Sequence, residues 1–211
     1  MAVIAVVDYE MGNLHSVCKG LEKAGAIAKV TDSYKELERA NAVVLPGVGA
    51  FDPAMRNLRA RGLEEPIKAV IASGKPFLGI CLGLQILFES SEEGRERGLG
   101  IIKGKVKRFR PETGITIPHM GWNQLEIRHN KCMLWEHLPA QPWVYFVHSY
   151  YVEPIDAQFR SANVIHGTQT VTAAIAKDNL MAVQFHPEKS SNIGLQILSN
   201  FVSQVREKVA V

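Results

Sequence analysis

Cysteine is scarce in this sequence, and where it occurs it stands alone. Three cysteines, Cys18, Cys81 and Cys132, are spread over 211 residues. An odd and widely spaced set makes neither a disulfide framework nor a metal motif, and it fits a reducing compartment. Long apolar runs are missing too, since no stretch approaches the roughly 20 residues of a membrane-spanning helix. The opening Met1-Ala-Val-Ile-Ala-Val-Val7 is apolar but short, lacks a positive leader and runs straight into Asp8. It reads as a first strand and not as a signal peptide. Neither sign of charge dominates: 24 Lys+Arg against 21 Asp+Glu leave a net +3. Without Lys/Arg runs, that balance gives no support for a nucleic-acid partner. No internal repeat or composition break divides the chain, so residues 1–211 are expected to form one domain of a soluble, cytoplasmic protein.

What is present is an alternation of short apolar runs with stretches of helical spacing. Val3 to Val7, Ala26 to Val30, Ala42 to Leu45 and Phe77 to Ile80 read as strands. They are apolar throughout, as parallel strands buried on both faces are. Leu14 to Lys23 reads as a helix stopped by Gly25, and Ser33 to Ala40 as a short helix capped by Ser33. Asp52 to Ser73 reads as two helical pieces joined near Gly62 to Pro66. The alternation implies an α/β fold, doubly wound, with a mostly parallel sheet and helices on both faces. The second half differs. Gly100 to Phe109, Gly121 to Ile127, Trp143 to Tyr151, Ala157 to Ile165 and Thr168 to Ala176 alternate, which predicts a β-rich region. Ser191 to Val205 carries Leu195, Leu198, Phe201 and Val202 at helical spacing and predicts a closing amphipathic helix.

The chemistry gathers where strands are expected to end. Gly79-Ile-Cys81-Leu-Gly83 is the cysteine form of a nucleophile elbow, with a strand before it and helical spacing from Leu82 to Phe88 after it. The glycines allow the sharp turn, and a helix N-terminus favours the nucleophilic thiolate. A buried, inert cysteine is the ordinary alternative. Strand three ends in Pro46-Gly-Val-Gly49, a turn that is either plain or a loop of backbone donors facing a ligand. It lacks the Gly-Lys-Ser/Thr of a phosphate loop. In Phe185-His186-Pro-Glu188, Pro187 keeps the preceding residue extended, so His186 and Glu188 are expected on one side of the chain. Cys81 as nucleophile, His186 as base and Glu188 as its orienting carboxylate supply the roles of an acyl-transfer site. The Leu82 N–H would face a tetrahedral oxyanion, and Val48 or Gly49 would offer a second donor.

Those three segments, with Gln85 in the elbow, resemble the signatures of class I (triad-type) glutamine amidotransferases. Within that class the chain most resembles the glutaminase subunits of imidazole glycerol phosphate synthase, of histidine biosynthesis. The support is Gly12-Asn-Leu14, Pro118-His-Met-Gly-Trp-Asn123, Tyr145-Phe-Val-His-Ser-Tyr150 and His186-Pro-Glu-Lys-Ser190. The resemblance implies that L-glutamine is hydrolysed through a thioester, with Gly49, Gln85, Ser149 and Tyr150 holding its α-amino and carboxylate groups. It implies a heterodimer with a (βα)8-barrel cyclase subunit that converts PRFAR to imidazole glycerol phosphate and AICAR. Asn13, Met120, Trp122, Asn123, Tyr145 and Lys189 would face that partner, and neither cofactor nor metal is implied. Glu10 stands where the family usually has Gly, and Lys103 where Pro is common. Three rivals remain open: a glutaminase serving anthranilate, pyridoxal phosphate or carbamoyl phosphate synthesis, a cysteine peptidase on a related fold, and a non-catalytic binding module.

Overall fold

A computed structural model describes residues 1–128 and 132–209. The first half runs β1 (Val3–Val7), α1 (Leu14–Lys23), β2 (Ile27–Thr31), α2 (Tyr34–Arg39), β3 (Ala42–Leu45), α3 (Phe51–Ala60), α4 (Glu64–Ala72), β4 (Phe77–Ile80) and α5 (Leu82–Gln85). There follow β5 (Phe88–Ser91), β6 (Ile102–Arg108), β7 (His119–Ile127), β8 (Trp143–His148), β9 (Tyr150–Pro154), β10 (Arg160–His166), β11 (Gln169–Lys177), β12 (Leu180–Val183) and α6 (Ser191–Val209). Sheet order is β2-β1-β3-β4-β12-β11-β10-β7-β8, with β5, β6 and β9 as a side branch. The strands from β2 to β12 are parallel, and those from β12 to β8 antiparallel.

The parallel strands feed two cores through alternate residues, as period-two geometry requires. Ile4, Val6, Val44, Leu78 and Ile80 pack with Val17 and Leu21 of α1 and with Leu198 and Phe201 of α6. Ala5, Val7, Val43, Leu45 and Phe77 pack with Leu37 of α2, Leu58 of α3 and Ile67 of α4. Each large side chain fully removed from water contributes roughly 1.5–3 kcal/mol. The doubly wound expectation therefore holds, with helices on both faces.

Several boundaries differ from the sequence reading. β2 is the sheet's edge, and Ile27 and Val30 lie exposed instead of buried on both faces. The helix expected over Leu82 to Phe88 is a single turn, Leu82–Gln85, because Phe88 leaves to pair in parallel with Ile102. Leu82, Leu84, Ile86, Leu87 and Phe88 are all buried, so their run carries no face that separates helix from strand. Glu89 to Gly98, charged and glycine-containing, reads in the sequence as a surface loop, but its first residues Glu89 to Ser91 belong to β5. Trp143 to Tyr151 is two strands that break at Ser149, and α6 continues past Val205 to Val209.

The turn after β4 rests against the end of β3. A Cβ on Gly83 would stand 1.9 Å from the Leu45 carbonyl oxygen, backbone that cannot yield. Gly83→Ala is expected to lower the melting temperature by roughly 6–12 °C, equivalent to about 3 kcal/mol at this chain length. Differential scanning calorimetry measures it, and an unchanged transition would contradict the packing.

Candidate active site

Cys81 sits between β4 and α5 with φ 55 and ψ −110, a strained backbone for a residue with a Cβ. Its N–H donates to the Val183 carbonyl at 2.8 Å, which pins the elbow to the end of β12. Because α5 is only one turn long, its dipole is a small influence on the sulfur. Beyond β12 the chain stays extended: the Gln184 N–H donates to the Ala173 carbonyl and the His186 N–H to the Tyr145 carbonyl.

His186 Nδ1 meets Glu188 Oε1 at 2.7 Å, with both side chains nearly inaccessible. The pair forms through a 3-10 turn over Pro187–Lys189, not through the extended alternation expected from sequence. Nε2 of His186 makes no conventional hydrogen bond to a described residue and stands within reach of the Cys81 sulfur. Burial alone would lower the pKa of this imidazole. Hydrogen bonding and charge from Cys81 and Glu188 outweigh burial and raise it to about 10. The nucleophile therefore faces a ring that holds its proton at neutral pH.

Cys81 and His186 open onto a cavity of about 300 Å3. The sequence-predicted Val48, Gly49, Leu82, Gln85, Ser149 and Tyr150 also line it. Gln85 is buried, and its Nε2 donates to the Tyr150 carbonyl and to Gln184 Oε1, both at 3.1 Å. The structure brings to this site three further residues that the sequence reading passed over. Gln184 is fully buried with Nε2 3.7 Å from the Cys81 sulfur; as one more residue of an apolar strand end it carried no signal. Glu93 brings a carboxylate to the cavity wall, anchored by the Phe51 N–H at 2.8 Å. Its charged neighbourhood in sequence reads only as surface loop. Tyr9 is buried, and its hydroxyl donates to the Pro46 carbonyl at 2.8 Å, which fixes the start of the Gly47–Gly49 loop.

Two of the three expected oxyanion donors are engaged elsewhere in this structure. The Val48 N–H donates to the Met11 carbonyl at 3.1 Å, and the Leu82 N–H to the Gly47 carbonyl at 3.3 Å. Gly49 has φ +104, a conformation that favours glycine. Glu10 takes the left-handed conformation, φ 63, that glycine would adopt freely. The loop keeps its shape there at a local cost of roughly 1–2 kcal/mol.

The six residues expected to meet a partner are differently placed. Met120 and Trp122 are 61% and 49% exposed on β7, and the Trp122 ring meets Tyr145 of β8 edge-on. Lys189 is exposed. Asn13 caps α1 by accepting the Ser16 N–H at 3.3 Å. Asn123 is half-buried and turned toward His119.

Behind this face lie two buried histidines whose pKa values fall, chiefly through burial: His119 to about 4 and His148 to about 3. In the unfolded chain both titrate near pH 6.5. Below that pH the unfolded state takes up protons that the folded state refuses. Stability from this source is complete above pH 6.5 and drains as pH falls toward 4, by up to about 1.4 kcal/mol per pH unit for each ring. Urea unfolding at pH 7, 6 and 5 checks it; a flat series would mean that the rings charge freely in place.

Comparison with known proteins places the chain in a family. A family model for class-I glutamine amidotransferases matches residues 5–205. The imidazole glycerol phosphate synthase subunit HisH of Nostoc punctiforme is 80% identical over 209 residues, 99% of this chain and 99% of that protein. The subunit of the same name from Trichormus variabilis is 77% identical over 210 residues and covers 100% of both chains. Among solved structures, PurLQS from Thermotoga maritima superposes with a TM-score of 0.74 at 19% identity, over 99% of this chain and 100% of that one, which shows a shared fold. The chain belongs to the class-I glutamine amidotransferase family and, within it, to the HisH subunits of imidazole glycerol phosphate synthase.

Proposed function

We propose that this chain, acting as one amidotransferase domain in the cytoplasm, hydrolyses L-glutamine at Cys81 and hands the ammonia to a (βα)8-barrel cyclase. The observation that carries the reading is the placement of a strained Cys81 and the His186–Glu188 pair on one cavity. The sulfur attacks the side-chain amide carbon, and the His186 proton passes to the departing nitrogen, releasing ammonia and leaving a γ-glutamyl thioester. His186 then takes a proton from water as its oxygen attacks the thioester, which expels the sulfur, releases glutamate and restores the sulfur facing a protonated imidazole. Glu188 keeps the imidazole oriented through Nδ1. On the cavity wall, Glu93 and the Gln85 Oε1 complement an α-ammonium group, and Gly49 with the Ser149–Tyr150 segment supports the α-carboxylate.

Ammonia released to neutral water becomes ammonium, a poor nucleophile, and the proposed machinery occupies residues 46–188. A docked acceptor is therefore required. The cyclase would combine ammonia with PRFAR to give imidazole glycerol phosphate and AICAR, in a heterodimer meeting Asn13, Met120, Trp122, Asn123, Tyr145 and Lys189. Incubation of the complex with glutamine, or with the glutamine-analogue alkylator diazo-oxo-norleucine, tests the reading by mass spectrometry. A thioester or alkyl adduct on Cys81 with release of glutamate is expected. Peptide cleavage with indifference to both compounds would point to a cysteine peptidase instead.

A further inference from the structure

Beside the triad runs a chain of buried polar groups that the hydrolysis itself does not use. Nδ1 of His148 meets the Tyr150 carbonyl at 2.8 Å, and its Nε2 meets Nδ1 of His119 at 3.0 Å. Nε2 of His119 meets Nδ2 of Asn123 at 3.1 Å. That same amide nitrogen donates to the Ile165 carbonyl at 2.8 Å, and Asn123 Oδ1 accepts the Gln124 N–H at 2.8 Å. On the far side, the Tyr150 carbonyl also accepts from Gln85 Nε2, which reaches Gln184 and so the Cys81 sulfur.

The partners dictate where the protons sit. A carbonyl only accepts, so His148 must carry its proton on Nδ1 and leave Nε2 bare. His119 then donates from Nδ1 and accepts at Nε2 from the Asn123 amide. Turning that amide over would forfeit its bonds to Ile165 and Gln124. The chain is therefore ordered from Asn123 to Tyr150, and it exists only while both rings are neutral. Because the Tyr150 carbonyl only accepts, the Gln85 amide turns its NH2 to it and keeps Oε1 for the cavity. The His148 N–H on the same oxygen fixes where it lies. A reversed amide would present an N–H to the substrate's ammonium group.

We propose that His119 and His148 are positioning residues for glutamine, tying Asn123 at the partner face to the Tyr150 carbonyl and the Gln85 amide. This rests on the glutaminase reading and extends it to His148, at the cavity wall, and to His119 behind it.

Two measurements test it. In the complex with cyclase and acceptor, His148→Phe is expected to raise KM for glutamine about tenfold or more, with kcat within about threefold. His148→Asn, whose amide can still donate to Tyr150, is expected to bring KM back to within about threefold of the parent. An unchanged KM in His148→Phe, a loss in kcat alone, or no recovery in His148→Asn overturns the proposal. If His148→Phe does not fold, Asn123→Leu removes the donor at the other end and is held to the same rise in KM, reduced to several-fold. Independently, nitrogen-15 NMR of histidine-labelled protein at pH 6 should find both rings neutral with the proton on Nδ1. Either ring cationic, or protonated on Nε2, overturns it even if the chain proves to hydrolyse no glutamine, an outcome that would sink the functional reading separately.

Discussion

Cys81→Ser in the assembled enzyme is expected to cut glutamine-dependent product formation by about 10⁴-fold or more, while synthesis supplied with ammonium salt persists. The contrast follows from the division of labour proposed for the complex. Serine fits the elbow, since the strained φ of 55 is imposed by the β4–α5 turn and the Val183 contact and not by sulfur. An alcohol, however, holds its proton far more tightly than a thiol. The Cys81 sulfur is itself part of what holds the proton on His186 against burial. With serine in its place that support is gone, and a buried imidazole must strip a proton from an alcohol in a site arranged for a sulfur nucleophile. The substitution thus removes the nucleophile without disturbing the fold or the partner surface, and intact ammonium-dependent turnover shows as much. Glutamine-dependent turnover retained within tenfold would mean that the amide is attacked by some other group.

That Cys81, His186 and Glu188 would come together was legible in the sequence because each lies in a short, stereotyped segment: a glycine-flanked cysteine after an apolar run, and a histidine held by the proline that follows it. The parallel half was equally legible, since its inner strands β1, β3 and β4 are buried on both faces and read as short apolar runs. Legibility failed wherever an assignment depends on a distant partner. Phe88 leaves the elbow helix to pair with Ile102, fourteen residues on, and nothing in an evenly apolar run marks that exit. Gln184, Glu93 and Tyr9 act through neighbours 103, 42 and 37 residues away, Cys81, Phe51 and Pro46 respectively. His119 and His148 would have passed for packing residues in a loop and a strand. Only tertiary structure places them in one donor chain.

Glutamine turnover by the chain alone is expected to fall at least about 30-fold below that of the complex with acceptor bound, in kcat and not in KM. The reason is a single peptide group. The Gly47 carbonyl accepts from the Leu82 N–H, and the Val48 N–H of the same peptide donates to Met11. As it stands, an acceptor occupies the place where the oxyanion needs donors. Rotating that one peptide breaks both bonds, frees the Leu82 N–H and turns the Val48 N–H toward the elbow. Two backbone hydrogen bonds are worth about 2 kcal/mol net, which leaves the rotated state at a few per cent. Reaction without rotation forgoes its donors and runs about 10²–10³-fold slower, so the minor rotated state carries the basal rate. A partner seated near Asn13, two residues from Met11, is positioned to draw that carbonyl away and make the rotated state dominant. Since the donors act on charge that develops only in the transition state, KM stays and kcat moves. Steady-state kinetics with and without cyclase and acceptor decide it: equal kcat within about threefold would mean that the observed loop is already the working one.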